Sequence, residues 1–333
     1  MSVIKVEQLK SSYVLDMVGT KKVVQAVNEV NLEIRENEVY GIAGESGCGK
    51  STLMKTLFGD VQPPLRLMGG KVCYQVDGKD VDLFSLKPKE RQKYRWSFIS
   101  YVPQSSMSSL NPVVKLKETF IDFLGRHVHH ENKRDMIERA REHLVDLGLP
   151  PNVLQAYPHQ LSGGMRQRVI IALASFLSPR AMIADEPVTA LDVVVQRGVL
   201  QLLMEVQERQ KNALVIVTHD MGVLANIASR VGIMYAGKII EEGMVEDIFE
   251  RPQHPYTQYL INSLPRFGDK KMRESAPGAP PSLVNLPCGC AFHPRCKFAM
   301  PVCREETPVH VKVSDQHRVA CWLTREAHNE QHS

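Results

Sequence analysis

The sequence predicts an open α/β fold, interrupted by a helical insertion and followed by a small cysteine-rich tail. Three observations carry this. Four short apolar runs, near positions 39, 98, 181 and 214, read as buried strands, and each gives way to polar residues. Ligands of open α/β sheets bind beyond the carboxyl ends of such strands. The stretch from 113 to 158 has helical spacing and almost no strand signal. Five of the seven cysteines fall at or beyond position 288.

Residues 1 to about 38 look β-rich, because Val3-Ile4-Lys5-Val6-Glu7 alternates, as does Val30-Asn31-Leu32-Glu33-Ile34. Tyr13 falls where a turn is expected after the first strand; its ring can stack on an adenine or simply pack on the surface. Val39 to Ala43 suits a buried strand, and Ser51 to Phe58 suits a helix ended by Gly59. Between them lies Gly44-x-x-x-x-Gly49-Lys50-Ser51. This is the phosphate-binding-loop pattern, in the strand–loop–helix context that gives it meaning. The glycines let backbone N–H groups turn inward as an anion nest, and the helix start adds the positive end of its dipole. Lys50 then reaches terminal phosphates, and Ser51 places a hydroxyl for Mg²⁺. The implied ligand is a nucleoside triphosphate.

Farther along, Val72 to Val76 followed by Asp77-Gly78 reads as a strand and tight turn. Residues 82 to 95 read as a charged helix, and Phe98 to Val102 as a strand ended by Pro103-Gln104. Met136, Ile137, Ala140, Leu144 and Leu147 have near-helical spacing. Leu161-Ser162-Gly163-Gly164-Met165-Arg166-Gln167-Arg168 precedes an apolar helix, Val169 to Leu177. Ser162 is an apt N-cap, and the two glycines let a ligand approach the helix start; alone, the stretch is a second phosphate site or a plain cap. Ala181 to Glu186 is an apolar strand ending in two carboxylates. Asp185 is placed to hold Mg²⁺, and Glu186 to polarise an attacking water as a general base. Ala190-Leu191-Asp192 follows; then Leu214 to Thr218 forms a strand ended by His219, which can hydrogen-bond a terminal phosphate. Met234 to Ile240 reads as a hairpin.

The bulk numbers exclude some classes. The 333 residues suffice for one large and one smaller domain. Hydrophobic content of 43% and charged content of 23% describe a globular protein. The formal charge, 41 − 37 = +4, is too slight to argue for nucleic acid. No apolar run approaches the roughly 18 residues of a membrane span, and the start, MSVIKVEQLK, lacks a signal-peptide core. A membrane role is therefore expected through a partner.

Taken together, GESGCGKST, the Gln104 loop, LSGGMRQR, MIADEP, ALD and His219 resemble the ATP-binding cassette (ABC) ATPases, in that family's order, over roughly residues 3 to 250. The resemblance implies a P-loop NTPase fold with a RecA-like core, an antiparallel β subdomain and a helical subdomain at about 105–165. It implies that Gly44, Ser46, Gly47, Cys48, Gly49, Lys50, Ser51 and Thr52 hold the phosphates of ATP, and that Tyr13 stacks on adenine. Ser51, Gln104 and Asp185 would hold Mg²⁺; Gln104 would also touch the attacking water. Glu186 would be the general base and His219 the γ-phosphate contact. Ser162, Gly163 and Gly164 would act on the ATP of a second ATPase subunit, paired head-to-tail. Met165 stands where Gln is commonest, and is frequent in one branch.

That branch is the peptide/opine/nickel importer group, and His254-Pro255-Tyr256-Thr257 with the cysteines after it resembles its carboxy-terminal extension, here 251–333. The implied function is the ATP-hydrolysing subunit of an oligopeptide or dipeptide importer, peripheral on the cytoplasmic face of the cell membrane. Its partners would be a second, different ATPase chain, two transmembrane permeases and, indirectly, an extracytoplasmic solute-binding protein. The alternatives are nickel, opine or oligosaccharide as solute, or a soluble cassette protein acting on nucleic acid or ribosomes. Cys290-x₅-Cys296-x₆-Cys303-x₁₇-Cys321 places four thiols in a segment too polar for a large core, which a metal centre can replace. Four thiolates suit zinc or an iron–sulfur cluster, although the tight Cys-x₂₋₄-Cys pairs usual for zinc are absent; metal-free cysteines are the third reading, and the branch resemblance points to [4Fe–4S]. Cys288 is an extra thiol able to substitute for Cys290; Cys48 and Cys73 read as packed small residues.

Overall fold

The computed structural model describes residues 1–17, 19–104, 109–128, 132–264 and 276–325. They form two compact units: Met1–Leu86 with Val217–Ser333, and Lys87–Ile216.

The first unit contains an antiparallel sheet ordered β2-β1-β4-β5. Its strands are β1 (Ser2–Met17), β2 (Thr20–Arg35), β4 (Leu65–Val76) and β5 (Lys79–Asp82). Alternation builds it: Ile4, Val6 and Leu9 pair with Ile34, Leu32 and Val30, and all six are buried. Bulges interrupt the register between Val6 and Leu9, where Gln8 takes a left-handed φ of 48°. Tyr13 lies inside this long strand, paired with Val24 and Leu65, and not in the expected turn.

The same unit holds β3 (Val39–Ala43), α1 (Lys50–Leu57), β9 (Arg230–Tyr235) and β10 (Lys238–Met244). β3 is buried along its whole length and pairs in parallel with β9, as a strand covered on both faces requires. Ala236-Gly237, with φ of 46° and 83°, closes the β9–β10 hairpin in the doubly left-handed turn that matches strand twist. The tail adds a hairpin to this sheet: β11 (Val311–Ser314) pairs with β12 (His317–Val319), and β12 pairs with β10. The unit's helices are α1, α7 (Met221–Ile227), α8 (Val245–Glu250), α9 (Pro255–Asn262) and the single turn α10 (Val302–Glu305).

The second unit orders its strands β8-β7-β6: Ala213–Val217, Ala181–Asp185 and Ile99–Val102. β7 and β8 are entirely buried. Its helices are α2 (Pro88–Gln92), α3 (Leu116–His127), α4 (Lys133–Asp146), α5 (Gly163–Ser175) and α6 (Val193–Gln210). The helix expected over 82–95 shrinks to α2, since Asp82 ends β5 and no residue of α2 is buried to hold a longer one. Among the described residues no helix is long and apolar enough to cross a membrane.

Candidate nucleotide site and thiol cluster

The phosphate loop joins β3 to α1. Gly49 has φ 110°, and a Cβ there would lie 1.9 Å from the Ala26 carbonyl oxygen. At Gly44, φ 154°, a Cβ would lie 2.2 Å from the Met234 carbonyl oxygen. The loop thus packs so tightly on β2 and β9 that only glycine fits either position. The Cys48 carbonyl accepts the Gly237 N–H at 2.9 Å, which ties the loop to the β9–β10 turn. The Lys50 ammonium is buried and donates to the carbonyls of Gly44, at 2.8 Å, and Glu45, at 2.9 Å. Ser46 and Gly47 lie exposed at the tip. Thr52 Oγ1 is 3.3 Å from the Tyr13 hydroxyl, so the proposed adenine platform touches the helix that starts with Lys50 and Ser51. His219 is exposed just beyond β8. Burial pushes the Cys48 thiol up, with Lys50 opposing, which fits a packed residue.

In the second unit, polar residues gather at the ends of β6 and β7. Buried Asp185 accepts a hydrogen bond from the Tyr101 hydroxyl at 2.8 Å. Glu186 Oε2 accepts from Gln104 Nε2 at 2.9 Å and from the Thr189 hydroxyl at 3.0 Å. Glu186 is in the left-handed region, φ 47°, a strained conformation for a residue with a side chain. Ser162 caps α5, its Oγ accepting the Met165 N–H at 3.2 Å; Asp192 caps α6 through Val195 N–H at 3.0 Å. A Cβ on Gly164 would meet Val195 Cγ1 at 2.7 Å, so the two helix starts lie side by side. Part of the loop after Gln104 (105–108) lies outside the described residues.

The tail thiols Cys290, Cys296, Cys303 and Cys321 all line one small cavity of about 20 Å³, with Phe298 and Trp322 among its apolar walls. Cys288 is exposed and not among them. Burial pushes Cys290 up to about 11, helped by the neighbouring thiols, and also raises Cys296 and Cys321. Among the described residues no group of three or more His, Cys, Asp or Glu side chains stands ready to hold a metal ion.

Sequence reasoning missed five residues at these places: Glu45, Tyr101, Thr189, Tyr256 and Arg295. Tyr256 belongs to the HPYT stretch, yet its hydroxyl accepts the main-chain N–H of Glu45 in the phosphate loop at 2.9 Å. His254 makes this possible by capping α9, Nδ1 accepting the Tyr256 N–H at 3.0 Å. A tyrosine beside a cap is a recognisable signal for helix start, not for the loop it reaches.

Comparison with known proteins agrees with this geometry. Residues 27–189 match the ABC transporter family. Residues 240–303 match the oligopeptide/dipeptide transporter C-terminal region. The dipeptide transport ATP-binding protein DppD of Caldanaerobacter subterraneus subsp. tengcongensis is 41% identical over 97% of this chain and 98% of its own. The oligopeptide transport ATP-binding protein OppD of Bacillus subtilis is 40% identical over 90% of this chain and 84% of its own. A solved dimeric ATP-binding cassette bound to ADP and phosphate matches with TM-score 0.62 and 28% identity, over 73% of this chain and 98% of that one. With matched sequence over nearly its whole length and the phosphate loop, strand-end carboxylates and signature helix in place, the chain belongs to the ABC transporter ATPases, in the branch that carries the oligopeptide/dipeptide C-terminal region.

Proposed function

We propose that this chain is the ATP-hydrolysing subunit of a peptide importer. The similarity to dipeptide and oligopeptide transport ATP-binding proteins supports this, because it covers the cassette and the extension together. For the chemistry, the observation that carries the reading is the Gln104–Glu186–Thr189 set, which holds a carboxylate in place beside buried Asp185. A positioned carboxylate at a strand end is what a general base needs.

In the proposed roles, main-chain N–H groups of Gly44, Ser46, Gly47, Cys48 and Gly49, with Lys50, Ser51 and Thr52, bind the phosphates of ATP, and Tyr13 stacks on adenine. Gln104 orients the attacking water and Glu186 takes its proton. The water oxygen bonds to the γ-phosphorus as the bond to the bridging oxygen of ADP breaks, and His219 hydrogen-bonds the γ-phosphate. The hydroxyl of Ser51, the Asp185 carboxylate and the Gln104 amide oxygen are donors of the hard-oxygen kind that Mg²⁺ takes. Gln104 spends its amide nitrogen on Glu186, which leaves the oxygen end for the cation. When bound, Mg²⁺ neutralises charge on the transferred phosphoryl group.

What supports a thiolate-held centre at Cys290, Cys296, Cys303 and Cys321 is the donor chemistry of four thiols that line one small cavity. The proposed group is [4Fe–4S], acting as a structural staple; the visible spectrum of anaerobically purified protein separates it from zinc, which has none. Ser162, Gly163 and Gly164 are proposed to face the ATP of a second, different ATPase subunit. Val193 and Val194, 79% and 83% exposed at the start of α6, offer the neighbouring apolar surface such a partner covers. The proposed division is a cassette, 1–250, with a helical subdomain at about 105–165, and an extension, 251–333. Two permeases would hold the ATPase pair on the cytoplasmic face of the membrane, and an extracytoplasmic solute-binding protein would deliver the solute.

The test is reconstitution with co-purifying permeases and their binding protein in liposomes. Di- and oligopeptides are expected to stimulate ATP turnover. Stimulation by nickel, opines or oligosaccharides instead would replace the peptide assignment while keeping the transporter.

A further inference from the structure

Arg295 immediately precedes Cys296, yet its side chain is spent on the phosphate loop. Its Nη1 donates to Glu45 Oε2 at 2.7 Å and its Nη2 to Glu45 Oε1 at 2.9 Å. The remaining donors are also engaged: Nε with the Pro277 carbonyl at 2.7 Å, Nη1 with the Tyr235 hydroxyl at 3.3 Å, and Nη2 with the Ala276 carbonyl at 3.3 Å. The guanidinium lies over the rings of Tyr235 and Phe292, 5.8 and 5.9 Å from their centroids. Its side chain is 6% exposed. A buried, forked arginine–carboxylate pair fixes both partners in direction as well as distance.

Glu45 is the second residue of the phosphate loop, and every polar group it has is directed. Its carboxylate is held by Arg295, its N–H by the Tyr256 hydroxyl, and its carbonyl accepts the Lys50 ammonium and the Cys48 N–H. The segment before the thiols closes on the same loop. Leu283 O accepts the Gln25 N–H at 2.9 Å, and Pro281 and Leu283 share with Glu45 and Ser46 the walls of a cavity of about 290 Å³. The loop is therefore clamped by residues from the extension rather than by the cassette alone. Glu45 also puts a negative charge in a loop built for anions, and Arg295 is the cation that offsets it.

We infer that Arg295 is a positioning residue for the phosphate loop, so that the thiol-lined extension sets ATP affinity through the Arg295–Glu45 pair. The inference rests on Gly44–Thr52 being the ATP site. The experiment measures the ATP dissociation constant of the full chain with a fluorescent nucleotide, in a double-mutant cycle. Arg295→Met is expected to weaken ATP binding about tenfold, the size of one strong charged contact. In a Glu45→Gln background the same change is expected to alter binding less than about twofold, since the pair is already broken. A merely structural arginine gives equal losses in both backgrounds and overturns the inference, as does Arg295→Met binding as well as wild type. Arg295→Lys, which keeps the charge without the fork, and Tyr256→Phe, which removes the acceptor of the Glu45 N–H, are expected to weaken binding about threefold each. They carry the test if Arg295→Met does not fold, and wild-type affinity in both overturns it. A wild-type chain that binds no ATP removes the nucleotide reading itself, a result distinct from loss of the clamp.

Discussion

The phosphate loop and the strand-end carboxylates belong to one proposed reaction but are built by different means. The loop is made of main chain. Its glycines touch Ala26 and Met234, its carbonyl at Cys48 holds Gly237, and its Glu45 is fixed by Tyr256 and Arg295. The carboxylate set is made of side chains: Tyr101 on Asp185, and Gln104 and Thr189 on Glu186, with Gln104 exposed. Main-chain geometry that many contacts enforce loses part of its hold, not all of it, when one side chain is changed. Side-chain hydrogen bonds at a half-open strand end exchange partners easily. The difference teaches that binding and chemistry are separable by point mutation in this chain.

The sharpest separation is expected from Glu186→Gln. It keeps the shape and can still meet Gln104 or Thr189, but removes the base. In the assembled transporter, turnover should fall at least about 10²-fold, while the ATP dissociation constant stays within about threefold. Parallel loss of both quantities would break the comparison.

The support of the loop is expected to be acid-sensitive. His254 is buried, and burial lowers its pKa from the usual 6.5 to about 4. Only the neutral ring can accept the Tyr256 N–H at Nδ1. The folded pKa lies below the unfolded one, so the unfolded chain takes up the proton first as pH falls. This stability is complete above pH 6.5 and is lost as pH drops toward 4, on the order of 3 kcal/mol in all. His254→Asn keeps a cap acceptor and does not titrate. Denaturant melts of the two proteins should therefore converge on acidification through that window. Parallel curves would show that His254 is not the group responsible.

A smaller effect is expected at Asp185. Tyr101→Phe removes one hydrogen bond to a buried carboxylate, which is worth about 1.5–3 kcal/mol. Turnover should fall about tenfold with ATP binding unchanged, again on the chemical side of the division. A change in binding alone would place Tyr101 with the loop instead.

How much of this was legible in the sequence follows from how local each cause is. β3, the loop, α1, β7 and β8 were readable because continuous burial needs an unbroken apolar run and the loop needs glycine at fixed positions. The full length of β1 was not, since the bulge at Gln8 breaks the alternation that marks a strand. The β11–β12 hairpin was not, because half of Val311–Ser314 faces solvent and its pairing partner, β10, is distant in sequence. The spacing of the four tail thiols marks them as one set, and all four line one cavity. Arg295 beside Cys296 carries no local signal, because its partner, Glu45, is 250 residues away. Nothing in the local pattern of either residue announces the other.

The smallest expected effect decides what the signature serine does. Ser162 and Asp192 are caps of the same kind, each with one side-chain oxygen accepting one N–H of the first turn. As a cap alone, Ser162→Ala should cost about 1 kcal/mol of stability, and so should Asp192→Ala. Aspartate caps as well as serine, so Ser162→Asp should restore stability. It cannot restore a hydroxyl donor toward phosphate, and it adds a charge that repels one. If Ser162 meets a partner subunit's ATP, Ser162→Asp melts like wild type but loses turnover in the assembled transporter. If Ser162 is only a cap, both melting and turnover return together, and the exposed helix start is then packing rather than the missing half of a neighbour's site.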